Sequence, residues 1–199
     1  MERKLLVASS NKGKIEEIKD HFKELKFNFI TPDQFDNLEE VIEDGSTLEE
    51  NALKKARDRA YKTKLLTLAD DTGLEVDYLD GKPGIYSARF AHENATYEEN
   101  NDKLLELLKD VPYGKRTAHF RTVVAVVDPL EEKEYTVSGI CKGYILEKRR
   151  GDQGFGYDPL FYIPEHDKTF AEMTVSLKNK ISHRANALEK MKKVLKSRY

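Results

Sequence analysis

Apolar and charged positions recur along this chain with two different periods. "KLLVA" (residues 4–8) is a short apolar run, the pattern of a buried strand. Directly after it, Ile15, Ile18, Phe22 and Leu25 recur at helical spacing with charges between them. "FNFI" (27–30) predicts a second strand, stopped by Pro32. Residues 33–46 are acidic and irregular. Ser46 and Glu49 then predict a capping box for a helix near 47–64. "LLTLA" (65–69) predicts another buried strand, ending at the two acids of "DDTG". Thr96 and Glu99 predict a second capping box, opening a helix to about Lys109. Two long strands, 116–128 and 133–148, flank the short polar turn "PLEE" and predict an antiparallel hairpin. "RRGDQGFGYDP" (149–159) reads as a Gly-rich loop. The last helix is expected from near Lys180, with Ile181, Ala185, Leu188, Met191 and Leu195 on one face.

Strands mixed with helices, plus one long hairpin, predict an α/β fold with a mixed sheet. With no repeat, linker or low-complexity tract, residues 1–199 read as a single domain. Apolar residues make up 39% and charged residues 35%, a soluble, globular balance. The formal net charge is -2, from 34 basic and 36 acidic residues, so nothing global points to nucleic acid or a membrane surface. Any anion site must therefore be local. Cys141 is the one cysteine, which excludes an intrachain disulfide and fits a reducing cytoplasm. The apolar stretch near the N-terminus is too short for a signal peptide, and no segment approaches the ~20 apolar residues of a membrane helix.

Four stretches can carry chemistry. "SSNKGK" (9–14) lies in a strand-to-helix turn. There a helix N-terminus offers N–H groups and a positive dipole end to an anion. Gly13 allows close backbone approach, Lys12 and Lys14 bring charge, and Ser9 and Asn11 bring hydrogen bonds. The P-loop pattern G-x-x-x-x-G-K-[ST] is not satisfied. A capped surface turn with solvated lysines is the plain alternative. In "LADDTGL" (68–74), adjacent strand residues face opposite ways, so Asp70 and Asp71 are expected to do different jobs. One can hold a metal or activate water while the other anchors the loop. Mg²⁺ needs few carboxylates when phosphate oxygens complete its shell, and "EVIEDG" (40–45) offers several more acids. "GFGYDP" (154–159) sets Phe155 and Tyr157 between glycines, where aromatics either stack on a base or cover the core edge. Lys178, His183 and Arg184 fall at the start of the last helix, as anion or base-edge contacts or as solvated charge. The histidines lack metal-ligand spacing, and G-x-S-x-G is absent.

Together, "SSNKGK … EDGSTLEENALKKA … ADDTGL … GKPGIYSARF … GFGYDPLF … SLKNKISHRANAL" resembles the inosine triphosphate pyrophosphatase family from end to end. The resemblance implies a central mixed, twisted sheet with helices forming two lobes around a cleft, a homodimer and Mg²⁺ dependence. It implies hydrolysis of non-standard purine nucleoside triphosphates (ITP, dITP, XTP) to the monophosphate and pyrophosphate. On that resemblance Ser9, Ser10, Asn11, Lys12, Gly13 and Lys14 grip the triphosphate, with Lys55 and Thr72 as further contacts. Glu43 and Asp71 are the metal-associated acids, and Asp71 is also the general base. Phe155, Gly156, Tyr157 and Asp158 form the base-stacking loop, and Lys178, His183 and Arg184 contact the purine. A pyrophosphatase for modified pyrimidine nucleotides, or a nucleotide-binding regulatory module without turnover, are the rival readings. The module would have no need of paired acids at a strand end.

Overall fold

The computed structural model describes residues 3–36 and 38–199; Asn37, within the acidic stretch, lies outside them. In chain order the elements are β1 (Arg3–Val7), α1 (Lys12–His21), β2 (Phe27–Ile30), α2 (Leu48–Thr63), β3 (Leu66–Val76), β4 (Pro83–Gly84) and α3 (Tyr97–Leu107). They continue with β5 (Thr117–Asp128), β6 (Lys133–Ile145), β7 (Phe161–Ile163), β8 (Lys168–Thr169), α4 (Val175–Ile181) and α5 (His183–Arg198). The strands hydrogen-bond in the order β2-β1-β3-β5-β6-β7-β8, with β4 on β3. β1 runs parallel to both β2 and β3, whereas β4, β7 and β8 pair antiparallel with their neighbours. The sheet is therefore mixed, as the pattern of elements predicts.

Two compact units divide the residues. The first comprises Met1–Asp71, Thr122–Gly139 and Arg184–Tyr199. Its core packs Leu5 and Val7 of β1, Ile18 and Phe22 of α1, and Leu66 and Leu68 of β3. Val124 and Val126 of β5 and Leu188, Met191 and Leu195 of α5 complete it. The second unit comprises Thr72–Arg121 and Ile140–His183. Its core is more aromatic: Phe120, Phe161 and Phe170 lie with Leu74, Leu104, Leu108, Ile145 and Leu160.

Four local expectations shift. The cap of α2 is Thr47, whose hydroxyl accepts from Glu50 N–H at 3.1 Å, while the Glu50 carboxylate accepts from Ser46 N–H at 2.7 Å. The predicted Ser46–Glu49 capping box is thus absent: the cap is Thr47, and Glu50 reaches past it to Ser46. β3 does not end at the acids but runs on to Val76, because Leu74 and Glu75 pair with β4. Gly73 is needed for that pairing: a Cβ there would stand 2.6 Å from the Gly84 carbonyl oxygen. β6 stops at Ile145, not 148. The last helix is two helices, divided at Ser182, whose backbone is extended at φ -66, ψ 158. The division sends Ile181 to the second unit's core, while Ala185, Leu188, Met191 and Leu195 stay buried as expected. The Thr96–Glu99 capping box of α3 forms as predicted.

Arg116 holds the end of α3. Its guanidinium, fully buried, donates to the carbonyls of Leu108 (2.6 Å), Val111 (2.8 Å) and Leu146 (3.2 Å). Helix C-termini leave such carbonyls without intrahelical donors. Hydrogen bonds to charged groups contribute about 1.5–3 kcal/mol each, and a stranded buried acceptor costs on the order of 1–3 kcal/mol. Arg116→Met is expected to lower unfolding free energy by about 3–5 kcal/mol in urea denaturation. Arg149→Ala, which cuts an exposed ion pair to Asp102, should cost less than about 1 kcal/mol.

Candidate active site

Two neighbouring acids on β3 have opposite surroundings. Asp70, 2% exposed, meets Lys14 Nζ at 3.1 Å and Arg184 Nε at 3.2 Å through the same oxygen, Oδ2. Burial opposes its ionisation, but Lys14, Arg184 and Lys55 outweigh burial and hold the carboxyl far below the usual range. Asp71 points to the other side of the strand. Burial, its largest influence, pushes its carboxyl from 3.8 up to about 6; nearby Glu43 adds to the rise, against Lys55, Lys14 and Asn51. One acid is fixed as an anion and the next is poised to exchange a proton near neutral pH. Adjacent titratable groups driven apart in this way are candidates for separate acid–base roles.

Lys55, on α2, joins Asp71 to the acidic segment. Its Nζ lies 3.0 Å from Glu43 Oε1 and 3.6 Å from Asp71 Oδ1. Burial works against the Lys55 ammonium, but Asp71, Glu43 and Asp70 together outweigh it and raise its pKa. Lys14 is the opposite case: burial lowers it, and Asp70 only partly compensates. Glu43 and Asp71 therefore converge on one cationic position. Among the described residues no group of three or more His, Cys, Asp or Glu side chains gathers to hold a metal. Two hard carboxylates without a full protein cage suit Mg²⁺, which keeps waters and takes phosphate oxygens.

The "SSNKGK" turn is built as a helix start. Asn11 is the N-cap of α1 and its Oδ1 accepts from Lys14 N–H at 3.2 Å; Ser9 Oγ accepts from Asn11 N–H at 3.2 Å. Asn11 and Ser9 thus shape the turn with the side-chain oxygens expected to meet a ligand. Ser10 and Lys12 are exposed, and Gly13 lies in the first turn of α1. Thr72 follows Asp71 on β3 and is half-buried.

Within the second unit, Gly154 and Gly156 adopt positive φ (82° and 62°) and turn the 154–159 loop back on itself. A Cβ on Gly154 would stand 2.1 Å from Asp158 Oδ2. That oxygen accepts from Phe155 N–H at 2.9 Å and from Lys178 Nζ at 2.6 Å. The Lys178 ammonium also lies 4.8 Å from the Phe155 ring centroid, within cation–π range. His183 is buried, its ring stacked on Phe120 at 4.5 Å. Phe155, Gly156, Asp158 and Lys178 are thus brought together.

Two expectations need correction. Tyr157 is not a stacking ring: it is 4% exposed in the aromatic core, with its hydroxyl donating to Ser87 O at 2.9 Å. Arg184, expected on the purine, is 1% exposed and turned to carboxylates, Glu17 at 2.6 Å and Asp70 at 3.2 Å. A buried guanidinium needs such partners. Sequence reasoning also missed Glu17, Asn51 and Asn101. Glu17 and Arg184 are 167 positions apart, a pairing no local pattern announces. Asn51 and Asn101 are buried asparagines on the inner faces of α2 and α3, and polar residues at apolar helix positions were the available signal.

An α/β protein that sets a titratable carboxylate and clustered lysines beside a helix N-terminus has the parts to move a proton next to a bound anion. Comparison with known proteins narrows that class. The Ham1 family model matches residues 5–194, and the chain belongs to that family. A protein of Thermoanaerobacter pseudethanolicus named dITP/XTP pyrophosphatase is 51% identical over 195 residues, 98% of each chain. A Geobacter sulfurreducens protein of the same name is 51% identical over 189 residues, 95% of this chain and 94% of that one. Among solved structures, a HAM1 protein from Coxiella burnetii superposes with a TM-score of 0.90 at 39% identity, covering 98% of this chain and 99% of that one.

The Asp71 environment has a consequence for stability. Its folded pKa, about 6, stands above its ordinary 3.8. Between those values the folded state binds more protons than the unfolded, so this group's contribution falls as pH rises, and above about 6 the penalty is complete. In chelator, Asp71→Asn is therefore expected to gain stability over the native chain between about pH 4 and 6 and to keep that gain above. The gain should be on the order of 1–3 kcal/mol. Urea midpoints at both ends of the window test it; a difference independent of pH would refute the assignment.

Proposed function

We propose that this chain hydrolyses the α–β anhydride bond of non-standard purine nucleoside triphosphates, such as ITP, dITP and XTP, releasing the monophosphate and pyrophosphate. One observation carries the mechanism: on consecutive residues of β3, Asp70 is locked as an anion while Asp71 titrates near neutrality. The curated relatives named dITP/XTP pyrophosphatase, about half identical across nearly the whole chain, support the substrate class.

In this reading Asp71 accepts the proton of the attacking water. Lys14, Lys55, Thr72 and the start of α1, with Ser9, Ser10, Asn11, Lys12 and Gly13, bind and orient the triphosphate. Mg²⁺ would be held by Glu43 and Asp71 and would supply charge neutralisation for the leaving pyrophosphate. Phe155 stacks on the base, supported by Gly156 and Asp158. Lys178 and His183 read the base edge. Arg184 fixes Asp70 and thereby Lys14. A cytoplasmic homodimer is part of the same reading, and light scattering of the purified chain tests the assembly.

A panel of ITP, XTP, dUTP and ATP, with and without Mg²⁺, followed by pyrophosphate release, tests the class. Preference for dUTP would favour the pyrimidine reading, and binding without release the regulatory one. Asp71→Asn is expected to cut kcat by roughly 10²–10⁴-fold; near-normal turnover in the folded variant removes its role as base.

Base selection follows from donor–acceptor matching. Hypoxanthine and xanthine carry an acceptor oxygen at C6, adenine an amino donor there. Lys178 can only donate. Lys178→Met should therefore lower kcat/KM for ITP far more than for ATP and shrink the ITP/ATP ratio, since mismatched buried polar groups can discriminate by about 10⁴-fold. Arg184→Ala, by contrast, should depress both substrates alike. An unchanged ratio in Lys178→Met would move base reading elsewhere.

A further inference from the structure

Among the described residues between Phe35 and Thr47, the segment that carries Glu43 has no helix or strand of its own, yet it is fastened to α2 at regular intervals. The Glu50 carboxylate takes the N–H and hydroxyl of Ser46, each at 2.7 Å. Asn51 Oδ1 takes Gly45 N–H at 2.8 Å. Lys54 pairs with Asp44, and Lys55 reaches Glu43 at 3.0 Å. Arg59, two turns after Asn51, donates to the Glu39 carbonyl. The helix rises as the segment descends, and its residues at successive turns, one face of a helix, meet the segment one after another.

The Ser46–Glu50 and Lys54–Asp44 contacts are exposed and hold weakly, whereas Lys55 and Arg59 are largely buried but flexible, long-chain cations. Asn51 differs. It is fully buried, and its oxygen is committed to a backbone N–H of the segment two residues from Glu43. The amide orientation follows from that bond, since the oxygen must face the N–H and the NH₂ must face away. Nδ2 is buried without a hydrogen bond of full geometry, and the Asn51 amide also acts on Asp71 directly, favouring its ionised form. Gly45 shows how tight the junction is: a Cβ there would stand 2.6 Å from Asn51 Oδ1 and 2.8 Å from Glu50 Cβ.

We propose that Asn51 is a positioning residue: by anchoring Gly45 to the buried face of α2, it sets the place of the Glu43 carboxylate relative to Asp71. The proposal rests on the reading of Glu43 and Asp71 as the metal-holding acids. Residues that orient metal ligands change metal affinity or activity by about 10–100-fold when removed.

The test is a titration of the full chain with Mn²⁺, following the free ion by electron paramagnetic resonance, alongside ITP kinetics and thermal midpoints. Asn51→Ala breaks the junction from the helix side, and Gly45→Ala from the segment side. Arg57→Ala, on the same helix, which cuts an exposed pair to Glu134 of β6, is the control. Both junction variants are expected to raise the Mn²⁺ dissociation constant roughly 10–100-fold and to lower kcat more than they raise KM. Gly45→Ala should do so with a thermal midpoint close to that of Arg57→Ala. If Asn51→Ala does not fold, Gly45→Ala decides. Native Mn²⁺ affinity in the folded junction variants, with Glu43→Gln weakened, overturns the positioning role and leaves the metal reading standing. Native affinity in Glu43→Gln and Asp71→Asn overturns that reading, and the role of Asn51 with it.

Discussion

The buried contact of Asp70 with Lys14 and Arg184 is the constraint on which the site depends. A carboxylate 2% exposed would be neutral or absent without compensation. Here one oxygen receives two cations, and Arg184 is itself held by Glu17. The arrangement fixes three elements of the first unit to one another: α1 through Lys14 and Glu17, β3 through Asp70, and α5 through Arg184. It also dictates the chemistry of the next residue. With Asp70 satisfied from one face of β3, Asp71 is turned to the other, where burial dominates and its proton is held to about 6. Breaking such a pair strands a buried charge, which typically costs more than the intact pair contributes.

In each unit one helix also fastens an irregular segment that carries candidate site residues. In the first unit α2 holds the segment that bears Glu43. In the second, Asn101 of α3 donates to the Gly156 carbonyl at 2.9 Å, and Arg149 binds the Glu98 carbonyl and Asp102 of the same helix. Loops carry functional groups well only when a rigid scaffold positions them. Both helices begin with a Thr cap answered by a Glu three residues on, so the scaffold starts at a defined residue.

How much of this could be read from the sequence depended on whether the signal was local. The turn at 9–14, the α3 capping box, the different surroundings of Asp70 and Asp71 and the mixed sheet follow from short-range pattern, and the structure has each. The α2 cap slipped by one because Ser46 and Thr47 are both competent caps, and the helix begins at buried Leu48, with Thr47 as its cap. β3 ran past its predicted end because antiparallel pairing with β4, remote from any strand propensity of "DDTG", extends it. Arg184 was read as a purine contact because its partners, Glu17 of α1 and Asp70 of β3, come from distant elements that no local pattern links to it. Tyr157 was likewise ambiguous between stacking and core until its neighbours were known.

The charge balance of the first unit explains why this site would need a divalent cation despite its lysines. Around β3, four carboxylates, those of Glu17, Glu43, Asp70 and Asp71, face three cations, Lys14, Lys55 and Arg184. With Asp71 protonated the cluster is neutral; with Asp71 ionised, as a general base must be, it carries net negative charge. The lysines that look from sequence like an anion trap are therefore already neutralised by the protein's own acids. A triphosphate arriving there meets no surplus of positive charge beyond the dipole of α1 and exposed Lys12, each of which contributes on the order of 1 kcal/mol or less at a surface. In the proposed reading, a cation held by Glu43 and Asp71 would reverse that balance where phosphate charge and an ionised Asp71 meet. It would stabilise the same form of Asp71 that burial disfavours, so substrate binding and readiness of the base become one event.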